Sequence, residues 1–398
     1  MKKFKSGHVL AVAAAHLLHD TYTSFFAPLL PLLTEKLGFT YAVAGLLSVV
    51  QRIPSLFNPL IGLIADRIVI RSAIVISPVV SIIAMSLLGW APSITLLGVL
   101  FFTSGISAAV FHVTAPILMR QVSGDRIGKG MSFFMFGGEM ARTLGPLLVT
   151  AAVSWWGLEG TWRLIPFGLV ASLLLFINLR TIDKNLIRKH QKSDQTSVRD
   201  TLKKTAPFFG TIAPILMFRG FSKTAVTLFL PAYLVHSGYS LKMAAAALAF
   251  LELAGAGGVL LAGSLSDKIG RKTVLLFIMI LSPLLLYLFT LTSGIGQWIL
   301  LGLMGLIIFS PTPVFMAMIH DLNSDRPSFI NGIFMTLNFI AGSSAALFVG
   351  AFADRIGFAA TYQITAAVSL LAIPFTCLIR SNKPPQATLS SNRQPNQN

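Results

Sequence analysis

The sequence predicts an all-α membrane protein with 12 transmembrane helices in two pseudo-symmetric six-helix bundles. Its 398 residues are 54% hydrophobic and 11% charged, with a mean hydropathy of +0.76, a balance that suits a hydrocarbon solvent better than a water-soluble core. Apolar stretches of about 20 residues, the length that crosses a layer roughly 30 Å thick at 1.5 Å per residue, recur along almost the whole chain. The second half echoes the first at a shift of about 200 residues: GLIADRIVIR at 62–71 corresponds to GSLSDKIGRK at 263–272.

Span 1 (7–33) follows Lys2, Lys3 and Lys5 and stays apolar through Leu33 apart from His16, His19 and Asp20. Its opening, MKKFKSGHVLAVAAA, has the basic start and small residues of a secretory signal, but the apolar run continues through Asp20 to Leu33 and is echoed later in the chain. Span 2 (40–65) stops at Asp66 and Arg67, span 3 (72–91) follows Arg71, and span 4 (95–118) stops before Arg120. Span 5 (130–153) follows Lys129, and span 6 (163–180) ends at Arg180. These six form the first bundle, 1–180. From 181 to 205 the chain is polar and charged, with no apolar face worth burying, and reads as a basic cytoplasmic linker. Spans 7 (207–235), 8 (240–265), 9 (273–291), 10 (297–319), 11 (330–352) and 12 (360–380) form the second bundle, 206–380. The tail 381–398, SNKPPQATLSSNRQPNQN, is polar and Pro-containing and is predicted to be disordered.

The net charge of +17 does not require a nucleic-acid partner, because Lys and Arg are sorted by side. With the N-terminus in the cytoplasm, 23 of them fall in cytoplasmic segments and 4, namely Lys36, Arg163, Lys242 and Arg355, on the opposite face. That asymmetry is the positive-inside pattern and places both termini in the cytoplasm, with the protein in the cell (inner or plasma) membrane. The expected partners are the lipid bilayer and a small-molecule substrate, and the expected state is a monomer. The lone Cys377 excludes an internal disulfide and any cysteine-built metal site.

Twelve spans in a six-plus-six repeat, with G-x-x-x-D-R/K-x-x-x-R/K between spans 2 and 3 and again between 8 and 9, resemble the major facilitator superfamily. The second copy, 263–272, matches the signature fully, whereas the first has Val69 in place of Gly. More narrowly, HLLHDTYTSFFAPLLPLL in span 1, AAVFH ending at His112, and SFFMFGGEMARTLGPLL in span 5 resemble the fosmidomycin-resistance group of drug efflux proteins. This chain departs from that group in having Val113 and Thr114 after the span 4 histidine, where the group has Pro-Glu, and in carrying Arg142. The superfamily resemblance implies the major facilitator fold, in which spans 1, 4, 7 and 10 line a central cavity, 2, 5, 8 and 11 flank it, and 3, 6, 9 and 12 are peripheral.

An ionisable group at the bilayer centre costs about 3 kcal/mol unless it faces protein or water. Such groups lie near mid-span at His16, His19, Asp20, Arg52, Glu139, Arg142, Arg219, Lys223 and Glu252, with His112 nearer the cytoplasmic side, while the interiors of spans 3, 6, 9 and 12 have none. They therefore fall only where the resemblance places water and substrate. His16 with Asp20, and Arg219 with Lys223, are four apart and share a helix face; Glu139 and Arg142 are three apart. At a shift of 203, Asp20 falls on Lys223 and His16 on Arg219, so span 7 repeats span 1 with opposite charge. The alternative reading of each residue is a structural ion pair that locks the halves together, and His19, off the His16–Asp20 line, fits either role.

Two carboxylates are the candidate proton carriers. Asp20 is held between desolvation, which favours its neutral form, and nearby cations, which favour its charged form, so that it can exchange a proton as the cavity changes side. Glu139, one turn from Arg142, is the second; the surrounding GGEMARTLGPL keeps the A-x-x-x-G-P core of an antiporter motif and has Val149 and Thr150 where that motif closes on a Gly pair. His16, His19, His112, Arg142, Arg219 and Lys223 are the candidate substrate-binding groups. Asp66, Arg67, Arg71, Asp267, Arg271 and Lys272 at cytoplasmic helix ends, with Arg52 and Glu252 inside, are the candidate gates or braces. Cations outnumber acids at mid-membrane, which points to an anionic substrate.

No enzyme is expected, since neither a nucleophile with its base nor a metal centre is evident. H-x-x-H-D at 16–20 offers ligands on adjoining helical faces but has no carboxylate-rich partner motif. GDRIGKG at 124–130 lacks the spacing of an ATP-binding loop. No cofactor or metal is expected, and a proton gradient supplies the driving force. The expected function is alternating-access, proton-coupled efflux of a small anionic or polar drug-like compound by an antiporter conferring drug resistance; the alternative is a proton-coupled uptake symporter for an organic anion.

Overall fold

The structure is a computed structural model that describes residues 4–58, 60–61, 70–124, 126–180, 182, 197–322 and 327–379. Among the described residues, eight helical segments are long and apolar enough to cross a membrane: Ser72–Trp90, Ile94–Val122, Glu159–Leu179, Leu241–Ile269, Arg271–Leu291, Ile295–Ile319, Phe329–Ile356 and Phe358–Cys377, in spans 3, 4, 6 and 8–12. Span 7 is a ninth crossing, made of Val198–Leu228 and Leu230–His236 bent by 58°. The remaining three spans are helical but less apolar or interrupted. Span 1 is Ser6–Thr23 followed by Phe26–Leu37, span 2 is Tyr41–Arg52 continued by the 3-10 turn Ile53–Phe57, and span 5 is the 30-residue helix Ile127–Trp156, which carries Glu139 and Arg142. No β-strand occurs among the described residues.

Pseudo-equivalent residues produce the breaks in spans 1 and 7. Pro28 and Pro231 each remove a backbone donor just after the break, which frees the preceding turn. In span 1 the hydroxyls of Thr21, Thr23 and Ser24 donate back to the carbonyls of Leu17, Asp20 and Thr21, competing with the helical ladder at the same place. The turns that follow also match. Gly38 and Gly238 adopt φ of +64° and +91°, and Thr40 and Ser240 cap the next helices through hydroxyls that accept from Val43 and Met243 backbone amides.

The span 7 helix begins at Val198, inside the segment 181–205 expected to be the linker. Ser197 caps that helix by accepting from Arg199 N at 3.2 Å, and a polar exposed first turn hid the start from a reading based on apolar runs. Residues 183–196 of the linker and the whole tail 381–398 lie outside the described residues.

Packing repeats with the same two-fold logic. Span 1 lies on span 5 and span 7 on span 11 within each half, while span 2 lies on span 11 and span 5 on span 8 across the halves. At the end of the molecule that carries Gly38 and Gly238, one apolar core joins both halves and includes Phe25, Phe39, Phe229, Val349 and Phe358. At the end that carries the termini the cores are separate, one around Val9, Phe111 and Leu118 and the other around Phe209, Ile215 and Phe315. The halves share one apolar core at one end and keep separate cores at the other; near the midplane the side chains of His112 and Arg142 are 36% exposed, which marks an opening, the crevice, beside them.

Small residues make the seal. A side chain at Gly45 would meet the Ala346 carbonyl oxygen at 2.4 Å, and one at Gly350 the Tyr41 carbonyl oxygen at 2.1 Å, so only glycine permits this approach of spans 2 and 11. Asp354, at the end of span 11, then accepts from the backbone amides of both Tyr41 and Ala42 at 2.8 Å, capping the span 2 helix from the opposite half. Removing that cap in Asp354→Ala is expected to open the sealed end. In a Cys377→Ser background, maleimide labelling of Val349→Cys, which is fully buried, is expected to rise about 2- to 30-fold, the equivalent of one lost cap. Unchanged labelling would show that the cap does not hold the seal.

Candidate functional site

The crevice ends on a cluster built around Asp20, which the break in span 1 leaves at the last turn of its first helix. Three imidazoles converge on this one buried carboxylate. His16 Nε2 lies 3.2 Å from Oδ2, while His19 Nδ1 and His112 Nε2 lie 2.9 and 3.4 Å from Oδ1. Spacing of four along the helix brings His16 to Asp20; His112 arrives from span 4, where its side chain is 36% exposed.

The partners on the far side of each ring fix its tautomer. His16 Nδ1 lies 2.8 Å from the Phe134 carbonyl oxygen, which can only accept, so this nitrogen carries a proton. In a neutral imidazole the other nitrogen, Nε2, is then a lone pair, and it faces a carboxylate oxygen that is also a lone pair. The 3.2 Å contact requires a further proton on one side or the other, making either imidazolium with carboxylate or imidazole with carboxylic acid. His19 has no such conflict. Its Nδ1 donates to Asp20, and its Nε2 accepts from Ser81 Oγ at 3.2 Å, beside a chain in which Ser107 Oγ donates to the Ser77 carbonyl at 2.5 Å. Fully buried and satisfied at both nitrogens, His19 does not face the crevice. Expected among the substrate-binding residues, it packs behind Asp20, hydrogen-bonded to Asp20 and Ser81.

Arg142 is the hub of the second layer. Its guanidinium pairs with Glu139 on the same helix, approaches Asp20 Oδ2 at 4.0 Å, and reaches Glu252 Oε2 on span 8 of the other half at 3.3 Å. The last contact is an ion pair by distance and not a hydrogen bond by angle: Arg142 Nε, Glu252 Oε2 and Glu139 Oε2 are all buried without a hydrogen-bond partner among the described residues. One guanidinium faces three carboxylates, so positive charge is in short supply here. Glu252, expected like Arg52 as a gate or brace, has Arg142 as its partner; Arg52 lies against Gly342 of span 11, where an added side chain would meet its Nη1.

The span 7 cations have the reverse imbalance, and Arg219 lines a small cavity with Ile278, Ser282, Pro283, Ile308 and Ser369 of its own half. Arg219 donates from Nη2 to the Ile308 carbonyl at 3.3 Å and lies over the Phe315 ring, and Lys223 Nζ lies over the Phe309 ring. Neither these two nor Arg52 forms an ion pair with a carboxylate among the described residues. Lys223 stands within electrostatic reach of Arg219, Arg142, Glu252 and Arg52, which places it beside the junction of the halves.

The candidate gate is described only in part. Asp66 and Arg67 lie outside the described residues, as does the side chain of Arg71. Arg271 pairs with Asp267, lies 3.4 Å from Asp321 and donates to Ser266 Oγ at 2.7 Å, while Lys272 Nζ donates to the Cys377 carbonyl at 2.5 Å. All of these partners belong to the second half. Four contributors went unnoticed in the sequence: Phe134, Ser81 and Ser107, which act through a carbonyl or a hydroxyl, and Asp354. For Asp354 a signal existed, because GAFADRIG at 350–357 repeats G-x-x-x-D-R/K-x-G at the opposite end of the molecule.

Arg142→Gln is expected to lower the melting temperature of the purified protein, because it strands three acids. The loss approaches about 3–5 kcal/mol, less the screening that a partly exposed guanidinium receives. Combining it with Glu139→Gln and Glu252→Gln is expected to recover most of that loss; a triple variant no more stable than the single one would contradict the assignment of Arg142 as their common counter-ion.

The model of the Major Facilitator Superfamily matches residues 12–346 and, as a second match, 213–397. The chain is 26% identical over 371 residues to the fosmidomycin resistance protein of Escherichia coli (strain K12), covering 91% of this chain and 90% of that protein. It is 23% identical over 372 residues to the MFS-type transporter YfnC of Bacillus subtilis (strain 168), covering 92% and 91%. Among solved structures, the D-xylose-proton symporter superposes with a TM-score of 0.75 at 15% identity, covering 94% of this chain and 97% of that one. The nucleoside transporter NupG gives 0.70 at 16%, covering 93% and 98%.

Proposed function

Because the chain belongs to the major facilitator superfamily and is an integral membrane transporter rather than an enzyme, we propose that it exports a small anionic compound in exchange for protons. The observation that carries this reading is the His16–Asp20 contact, where two lone pairs face each other unless a proton sits between them. Asp20 shares Arg142 with Glu139 and with Glu252 of the other half. A proton on Asp20 releases Arg142 toward Glu252 and favours closure at the midplane; its loss draws Arg142 back and weakens the only guanidinium bridge seen there among the described residues. Proton binding is thereby linked to the relation between halves, the element that alternating access moves. Glu139 is the reserve carrier on the same hub.

The substrate class follows from the buried cations that have no acid beside them. Arg219, Lys223 and Arg52 lack carboxylate partners among the described residues, and an anion supplied by a phosphonate, phosphate ester or carboxylate satisfies them. His16 and His112 complete the site from the first half. The similarity to the fosmidomycin resistance protein supports efflux of a phosphonate of that kind. The basic ends of the spans support a cell-membrane location with both termini in the cytoplasm, which makes the crevice seen here the cytoplasmic one. Asp267, Arg271 and Lys272, paired within the second half, serve as its gate.

Two outcomes test these roles. In proteoliposomes Asp20→Asn is expected to abolish uphill transport driven by a pH gradient while retaining substrate exchange; full gradient-driven flux in that variant would transfer the coupling role to Glu139. Arg219→Ala is expected to weaken competition by fosmidomycin roughly 10- to 150-fold, the worth of a charge-assisted hydrogen bond of about 1.5–3 kcal/mol, with little effect on lipophilic cations. Tight cation binding that ignores Arg219→Ala and Lys223→Ala would reverse the substrate class. Resistance conferred on cells, set against growth on the compound as sole carbon source, separates export from uptake.

A further inference from the structure

His16, Asp20 and His112 each offer a ligand atom within 4.8 Å of the others, with His16 Nε2 3.2 Å from Asp20 Oδ2 and His112 Nε2 3.4 Å from Oδ1. Two donor atoms bound at 2.0–2.1 Å to one tetrahedral ion are separated by roughly 3.3 Å. The sequence argument found no partner for the H-x-x-H-D run because the third ligand, His112, comes from span 4, more than 90 residues away.

We propose that His16, Asp20 and His112 form a binding site for a divalent transition-metal ion of the zinc class, with one coordination position open to the crevice. Two imidazoles and one carboxylate are the donor set such ions take when three ligands come from the protein, whereas calcium and magnesium prefer oxygen alone.

Three further features support the site. The Phe134 carbonyl holds His16 Nδ1–H at 2.8 Å, the outer-shell anchor that orients a ligating imidazole and turns its other lone pair to the metal. His19, anchored by Ser81, steadies Asp20 in the same way. The charge is also right: one guanidinium, Arg142, faces Asp20, Glu139 and Glu252, so a dication enters a cluster poor in positive charge. Arg142 at 4.0 Å from Asp20 and Lys223 near Glu252 are the cations that oppose it. The 36% exposure of His112 supplies the route in from the crevice.

The metal uses the atoms that hold the proton in the transport reading, so ion and proton compete there, and a spectrum tests the metal by itself. Full-length protein, purified on a tag without histidines and stripped with a chelator, is titrated with Co²⁺. One equivalent is expected to bind and give the intense visible bands of a low-coordinate nitrogen–oxygen site, which Zn²⁺ displaces. His112→Ala, at a partly exposed position, is expected to weaken binding beyond the roughly 10- to 100-fold that loss of an outer-shell partner costs, with its helical circular dichroism and melting temperature unchanged. His16→Ala is expected to do the same, and His236→Ala, on span 7, to leave binding unaltered. Absence of a stoichiometric spectrum, or bands that persist in both His16→Ala and His112→Ala, would overturn the site. If cobalt fails to bind while Asp20→Asn still loses gradient-driven flux, the metal proposal falls and proton-coupled transport stands.

Discussion

The arrangement depends on one guanidinium shared among three acids. Arg142 holds Glu139 on its own helix, lies near Asp20 on span 1 and reaches Glu252 across the junction between the halves. No rearrangement of one acid leaves the others unaffected, since one positive charge cannot balance three carboxylates at once. The orphaned oxygens of Glu139 and Glu252 express the same shortage. In a low-dielectric interior such a shortage is costly, and it is relieved by whatever brings positive charge or moves the arginine. A cluster of this kind is poised between states, and poise is what a transporter needs at its midplane.

The seal at the other end supplies a second, opposing constraint. Spans 2 and 11 approach so closely at Gly45 and Gly350 that backbone carbonyls stand where side chains would be, and Asp354 caps the helix of the opposite half. These are short-range contacts that exist fully or not at all, unlike the longer reach of charge at Arg142. Under the proposed proton exchange, events at the hub bias the balance between two discrete arrangements instead of deforming a continuous structure.

Much of this was legible in the sequence because a membrane imposes a period and a cost. Apolar runs gave the spans, the 200-residue echo gave the two halves, and the exclusion of charge from spans 3, 6, 9 and 12 pointed to the interior that His16, Asp20, Glu139, Arg142 and Glu252 share. Helical spacing of three and four brought His16 to Asp20 and Glu139 to Arg142. What was illegible depends on contacts between distant residues. Nothing local tells that Glu252 meets Arg142 and not Arg52, that His112 turns toward Asp20, or that the Phe134 carbonyl fixes the His16 tautomer. His19 was ambiguous for a related reason: its role depends on Ser81, which a hydroxyl in an otherwise apolar span does not announce. The start of span 7 at Val198 was hidden because a polar, solvent-facing helical turn has no apolar signal.

The central claim is that the cluster around Asp20 binds a proton whose occupancy is linked to the anion across the crevice. Proton exchange on substrate binding tests it most directly: purified protein in weak buffer is mixed with fosmidomycin, and the pH change is recorded. The wild type is expected to show a net proton release or uptake that varies with pH and vanishes in Asp20→Asn, while the variant still binds. An identical proton change in both proteins would contradict the claim.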